Sequence, residues 1–203
     1  ALMDTATESR KSANQYKMAV YTFGEKAEDT KLLEVVSATT DLKKAKKEAA
    51  KIDLMSIPYQ GYDNDQQTDF DRAFTQIADK MGTAGSGLTA ASPEKILFFV
   101  SDGVGDSYKP TDCTKKTTGG RCQEPIDVKY CTALKDKGYK IAVLYTTYLP
   151  LPTNGWYNSW IKPFQSEIPQ KMKACASPDL FFEVSPSEGI SDAMTTLFKK
   201  IVN

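Results

Sequence analysis

The sequence predicts a three-layer α/β protein: one mainly parallel sheet covered on both sides by helices. Three observations carry this. Apolar strand-like runs alternate repeatedly with segments of helical period, which is the pattern of a sheet with helices on its faces. Two runs, KILFFVS and YKIAVLYTTY, are almost continuously apolar, as expected of strands buried on both faces. The first of them stops at Asp102, followed at once by Gly103 and Gly105, and ligands of parallel sheets sit beyond such strand ends.

The elements follow in order. Residues 2–13 read as a helix with a thin apolar stripe of Leu2, Met3, Ala6 and Ala13. YKMAVYTFG alternates, with Met18, Val20 and Thr22 on one side and Ala19, Tyr21 and Phe23 on the other, which predicts a strand. KLLEVVSAT is a second strand, nearer an edge. In TDLKKAKKEAAKIDLM, Leu42, Ala45, Ala49 and Ile52 share one side at helical spacing, with Thr40 or Asp41 as cap. Its lysines are interrupted by Asp41, Glu48 and Asp53 and read as a solvated face. After the polar loop IPYQGYDNDQQ, a helix over TDFDRAFTQIADKM turns Phe70, Ala73, Phe74, Ile77 and Met81 inward and stops at Gly82. KILFFVS follows as the central strand. Residues 104–124 form a long excursion carrying two cysteines. A helix runs from about Pro125 to Gly138, then the strand YKIAVLYTTY, then an aromatic, proline-rich loop over 149–164. A helix from Phe164 to Cys175, the short strand LFFEV and a helix from Ser187 complete a single domain over 1–203.

The totals restrict the chemistry. The 203 residues and 22.4 kDa suit one domain with a sizeable core. Lys plus Arg and Asp plus Glu balance at 26 each, so no general attraction to nucleic acid or anionic lipid is expected. The chain has no histidine, which removes Ser-His-Asp and Cys-His nucleophile systems and every His-bearing zinc site. Any metal would use oxygen ligands, suited to Mg²⁺ or Ca²⁺, or cysteines. The cysteines Cys113, Cys122, Cys131 and Cys175 form no CxxC pair, and their wide spacing fits two disulfides and an oxidising compartment. Three pairings are possible. The expected ones are Cys113–Cys122, closing TKKTTGGR, and Cys131–Cys175, tying two neighbouring helices. No apolar run approaches the ~20 residues that span a membrane. The start, ALMDTATESRKSAN, is expected to be a processed or excised end.

Two polar residues stand out as site candidates. Thr68 lies at a loop-to-helix junction, and Asp102 follows a strand. A hydroxyl and a carboxylate can both enter a six-oxygen shell around Mg²⁺. Each also has a structural reading: Thr68 with Asp71 has capping-box spacing, and Asp102 before Gly103 fits an Asx turn. Asp65 and Asp69 could assist a cation near Thr68.

The order YTFG, TDFDRAF, KILFFVSDG and KGYKIAVLYTT resembles a von Willebrand factor type A domain over nearly the whole chain. The resemblance implies a Rossmann-like parallel sheet of order 3-2-1-4-5-6 and a metal-ion-dependent adhesion site holding Mg²⁺, or Mn²⁺ or Ca²⁺. Thr68 and Asp102 match two of its three loops. The tail phrases YCTALKDKGYKIAVLYTT and MKACASPDLFFEVSPSEGISDAM look like TadG-type proteins of bacterial tight-adherence pilus systems. In these a cysteine before one strand and a CAS motif before the next recur, matched by Cys131 and Cys175. No DxSxS loop occurs here, and the first, central strand of that fold is missing. The resemblance therefore requires an upstream segment, or a strand from another chain, unless the family frame does not hold.

Three functions are weighed on these residues. The first is an adhesion or protein-binding module at the periplasm or cell surface, divalent-metal-dependent, gripping a protein or surface ligand and anchored through a segment outside these residues. The second is a structural pilus-assembly scaffold with a vestigial metal site, contacting other pilus components through Trp156, Tyr157 and Trp160, since aromatics often anchor interfaces. The third is an enzyme, for which no carboxylate pair sits beside a nucleophile, no GxGxxG follows the early strand, and TAGSGLT lacks a phosphate-loop lysine. A binding role is the expectation, without catalytic residues.

Overall fold

A computed structural model describes residues 1–24, 31–59, 62, 64–185 and 189–202. Helix α1 is Leu2–Ser9, α2 Leu42–Ala49, α3 Phe70–Met81, α4 Val128–Asp136, α5 Gly155–Trp160, α6 Glu167–Cys175 and α7 Ile190–Val202. The strands are β1 Met18–Thr22, β2 Leu33–Thr39, β3 Ile96–Ser101, β4 Val104–Tyr108, β5 Thr117–Thr118, β6 Arg121–Pro125, β7 Lys140–Thr146 and β8 Phe181–Val184.

The expected single sheet is corrected. Among the described residues the strands form three sheets: β1–β2 antiparallel, β3–β7–β8 parallel, and β4–β6–β5 antiparallel. The Rossmann-like architecture of a von Willebrand factor type A domain is thus not what these strands build. The physical reason is edge pairing. Periodicity reports which faces of a strand are apolar, but not which strand its N–H and C=O groups meet. β1 finds only β2, and β3 finds only β7. The cysteine-bearing excursion over 104–124 is an antiparallel sheet whose β5–β6 turn is made by Gly119 and Gly120, both at positive φ.

Helices cover both faces of the three-stranded parallel sheet. On one face α3, α4 and α6 bury Phe70, Phe74, Leu134, Ile168 and Met172 against Phe99, Ile141 and Val143. On the other, α7 brings Leu197 against Leu144 and Val184, and Phe198 joins Ala6 and Leu42 of α1 and α2. The central strand of this sheet is β7, not β3: Ile141, Val143 and Leu144 are 0% exposed, whereas Val100 of β3 is 41% exposed. Both expected disulfides are present, Cys113–Cys122 and Cys131–Cys175. The second ties α4 to α6, so the chain's two neighbouring helices cannot separate. Among the described residues no helix is long and apolar enough to cross a membrane.

Candidate functional site

The rim at the C-terminal end of β3 starts with Asp102. Its Oδ1 accepts from Val104 N at 3.1 Å, and Ser101 Oγ accepts from Gly103 N at 3.0 Å. These bonds form the turn that reverses the chain into β4. Gly103 has φ 78°, and a Cβ there would lie 2.5 Å from Ile168 Cγ2 and 2.9 Å from Met172 Cγ. Only glycine satisfies both the left-handed backbone and the close approach of α6. Asp102 is exposed as a residue, yet the surrounding protein displaces water from its carboxylate. That loss pushes its pKa above the ordinary value despite the bond from Val104.

Thr68 does not cap α3. Asp69 is the cap, its Oδ1 accepting from Arg72 N at 2.9 Å. Thr68 instead bridges to the hairpin: its N donates to Asp106 O at 2.7 Å and Asp106 N donates back at 2.8 Å. Gly24 lies against it, with Thr68 Oγ1 3.6 Å from where a Cβ would stand. The structure therefore brings Thr68 to Asp106, in the strand that follows Asp102.

Asp106 opens a polar network that sequence reasoning did not find. Its carboxylate accepts from Arg121 Nε at 2.8 Å and Nη2 at 2.5 Å, and from Gln123 Nε2 at 3.2 Å. Arg121 Nη1 also meets Asp65 at 2.8 Å. Gln123 Oε1 accepts from Trp156 Nε1 at 2.7 Å, and the Arg121 guanidinium sits 5.0 Å above the Trp156 ring. One signal was legible, the Gly-Gly in TTGGRCQE, which marks a tight hairpin. That turn pairs β5 with β6; it is the separate pairing of β4 with β6 that sets Arg121 opposite Tyr108 and Gln123 opposite Asp106.

The aromatic loop holds the rest. Asn154 caps α5 by accepting from Tyr157 N at 2.8 Å. Trp156 and Trp160, four apart, share one helix face, with centroids 5.7 Å apart. Trp156 is 40% exposed, Trp160 is partly buried, and Lys116 Nζ stands 5.7 Å from the Trp160 ring. Tyr157 differs from its neighbours. It is buried, stacks on Tyr148 and donates its hydroxyl to Gln165. It anchors the loop to the core and is not open to a partner.

Beside this rim, Lys109 Nζ bonds both Asp71 and Glu124, the latter at 2.6 Å. Burial alone would raise Glu124, but Lys109 and the two donors of Thr114 outweigh it and hold the carboxyl below its ordinary value. Burial raises Asp71, and the Lys109 bond only partly offsets it. Burial would lower Lys109, but its two acids raise it, so the ammonium stays charged.

The donor set around Thr68 and Asp102 does not fit a hard cation. Asp102 brings one carboxylate, Asp106 and Asp65 are both engaged by the Arg121 guanidinium, and Asp69 is the helix cap. Among the described residues, the His, Cys, Asp and Glu donors that close within 4.8 Å are Cys113, Cys122 and Glu124. This trio could hold a metal ion once reduced, because a disulfide offers no thiolate.

Comparison with family models, curated proteins and solved structures finds no match to this chain. The expected von Willebrand factor A and TadG identity, and the pilus role and magnesium adhesion motif that came with it, are therefore corrected. The phrases that carried the resemblance report apolar strands ending in polar turns, which any α/β sheet shares. The three sheets and the cysteine-based donor group argue against that family's site.

Proposed function

We propose that the chain is an extracytoplasmic protein-binding module whose contact face is the Trp156–Trp160 edge of the hairpin rim. One observation carries this: both tryptophans of the chain lie together, Trp156 exposed and Trp160 partly so, and the indole N–H of Trp156 is already held by Gln123. Trp156 is fixed by Gln123 and Arg121, and Lys116 reaches Trp160 from the disulfide-closed loop. A rigid, partly exposed aromatic pair costs little ordering entropy on binding and suits an interface anchor. Two disulfides support an oxidising compartment.

A Mg²⁺-dependent form of this reading rests on Thr68 and Asp102 alone and lacks ligands, so the contact we propose is direct. Calorimetric titration with Mg²⁺ and Mn²⁺ tests that choice: no binding heat is expected, and heat abolished by Asp102→Ala would reverse it. For the binding face, the immobilised chain is challenged with an extract of extracellular and surface proteins. Trp156→Ser with Trp160→Ser should lose the species that the wild type retains while keeping the wild-type far-ultraviolet circular dichroism and a cooperative melt at the assay temperature. Retention by the double variant would refute the assignment.

A further inference from the structure

The charges around the Trp156–Trp160 edge are one-sided. Residues 113–123 of the hairpin and 149–164 of the aromatic loop carry Lys115, Lys116, Arg121 and Lys162 and no acid, in a chain whose charges balance at 26 each. The two segments meet through cations laid on rings: Arg121 on Trp156, Lys116 on Trp160, and Lys115 on Phe164 at 5.9 Å. Two of these cations bring their acids with them. Arg121 holds Asp106 and Asp65, and Lys115 holds Glu167. Lys116 is exposed and has no acidic partner among the described residues, and the same is true of Lys162, two residues past Trp160.

That difference decides what can close over the rings. A partner that covers Trp160 removes water from the Lys116 ammonium, 5.7 Å from the ring centre. An ammonium dried without a counter-charge opposes the contact. A carboxylate on the partner removes that opposition and adds a charge-assisted hydrogen bond. Apolar surface is present for the rest of the segment: Leu149 and Leu151 of the loop are exposed, and so is Tyr108, opposite Arg121 in the β4–β6 register. Two cations without acids of their own match one or two carboxylates. They do not form the basic groove that tracks the backbone of a single-stranded nucleic acid.

We propose that the segment this face takes is acidic: a short stretch of a partner protein that sets apolar side chains on Trp156 and Trp160 and an aspartate or glutamate against Lys116. This rests on the reading of the Trp156–Trp160 edge as the contact face, and adds the chemistry of what that face accepts. The rings supply contact area, and the cations supply selection, because a basic segment meets like charge at Lys116, Arg121 and Lys162.

The test uses the whole chain and three fluorescein-labelled peptides of about ten residues, in which Leu and Phe alternate with Glu, with Gln or with Lys. At low salt, anisotropy should rise saturably with the Glu peptide, about tenfold more weakly with the Gln peptide, and not with the Lys peptide. Lys116→Glu should weaken the Glu peptide by about five- to tenfold and leave the Gln peptide within about twofold. Lys43→Glu makes the same charge change on the exposed side of α2 and should leave the Glu peptide within about twofold. Far-ultraviolet circular dichroism checks that both variants fold. Equal binding of the Glu and Gln peptides, or equal losses from Lys116→Glu and Lys43→Glu, overturns the proposal. If such binding is still lost in Trp156→Ser with Trp160→Ser, the contact face stands without the charge selection. Glu-peptide binding that survives the tryptophan double variant overturns the face and the proposal together. Saturable binding of none of the peptides overturns the proposal and leaves the face to the capture experiment. An oligothymidylate of about ten nucleotides bound more tightly than the Glu peptide also overturns it, and would assign the face to nucleic acid.

Discussion

Removing the disulfides one at a time should give unequal losses of stability. Cys131–Cys175 spans a sequence separation of 44 and Cys113–Cys122 a separation of 9. With loop-closure entropy of −2.1 − 1.5R ln n, the long loop is worth about 4 kcal/mol at 25 °C and the short one about 2.5 kcal/mol. Alanine replacement of each pair avoids adding a buried hydroxyl at Cys131 and Cys175, both 0% exposed. For a chain of this size the losses correspond to about 8–16 °C and about 5–10 °C in Tm. Urea unfolding followed by far-ultraviolet circular dichroism, with linear extrapolation, measures both variants against the wild type. The reasoning is refuted if the Cys113–Cys122 pair costs as much as the other, because native packing and not loop closure would then set the scale. A loss under about 1 kcal/mol for both pairs would also remove the argument for a disulfide-dependent fold.

Other expectations are local. Gly103→Ala places a Cβ 2.5 Å from Ile168 Cγ2 at φ 78°, and should cost about 2–4 kcal/mol in chemical denaturation. Asp69→Ala should lose about 1 kcal/mol as the α3 cap, and Thr68→Ala less, since the Thr68 bonds to Asp106 are made by its backbone. Glu124→Gln leaves Lys109 with only Asp71 and should cost about 3 kcal/mol at neutral pH. The folded Glu124 pKa lies below its ordinary value of 4.5, so its stabilisation is full above that value and is lost as pH falls through the folded pKa. The gap between wild type and variant should narrow there; a gap that widens in acid would contradict the assigned ionisation.

Much of the element order was legible because apolar period survives any tertiary arrangement. Phe70, Ala73, Phe74 and Ile77 face the core as their spacing predicts, and Cys131 meets Cys175. Edge partners were not legible. KILFFVS is apolar enough for a central strand, and nothing in its own residues says that β7 would take only one edge. The site was misread for the same reason. Arg121, Gln123 and Asp106 lie up to 17 residues apart and meet because β4 pairs with β6, a register that no local turn signal announces. Tyr157 looks like its tryptophan neighbours in sequence, but helix phase turns it inward.

The most direct test of the binding face uses its own tryptophans, since Trp156 and Trp160 are the only two in the chain. Their fluorescence is measured with acrylamide as quencher, before and after the species captured from the surface-protein extract is added. The account predicts a fall in the quenching constant, because the partner covers both rings. Unchanged quenching on a chain shown to be fully bound would put the contact elsewhere.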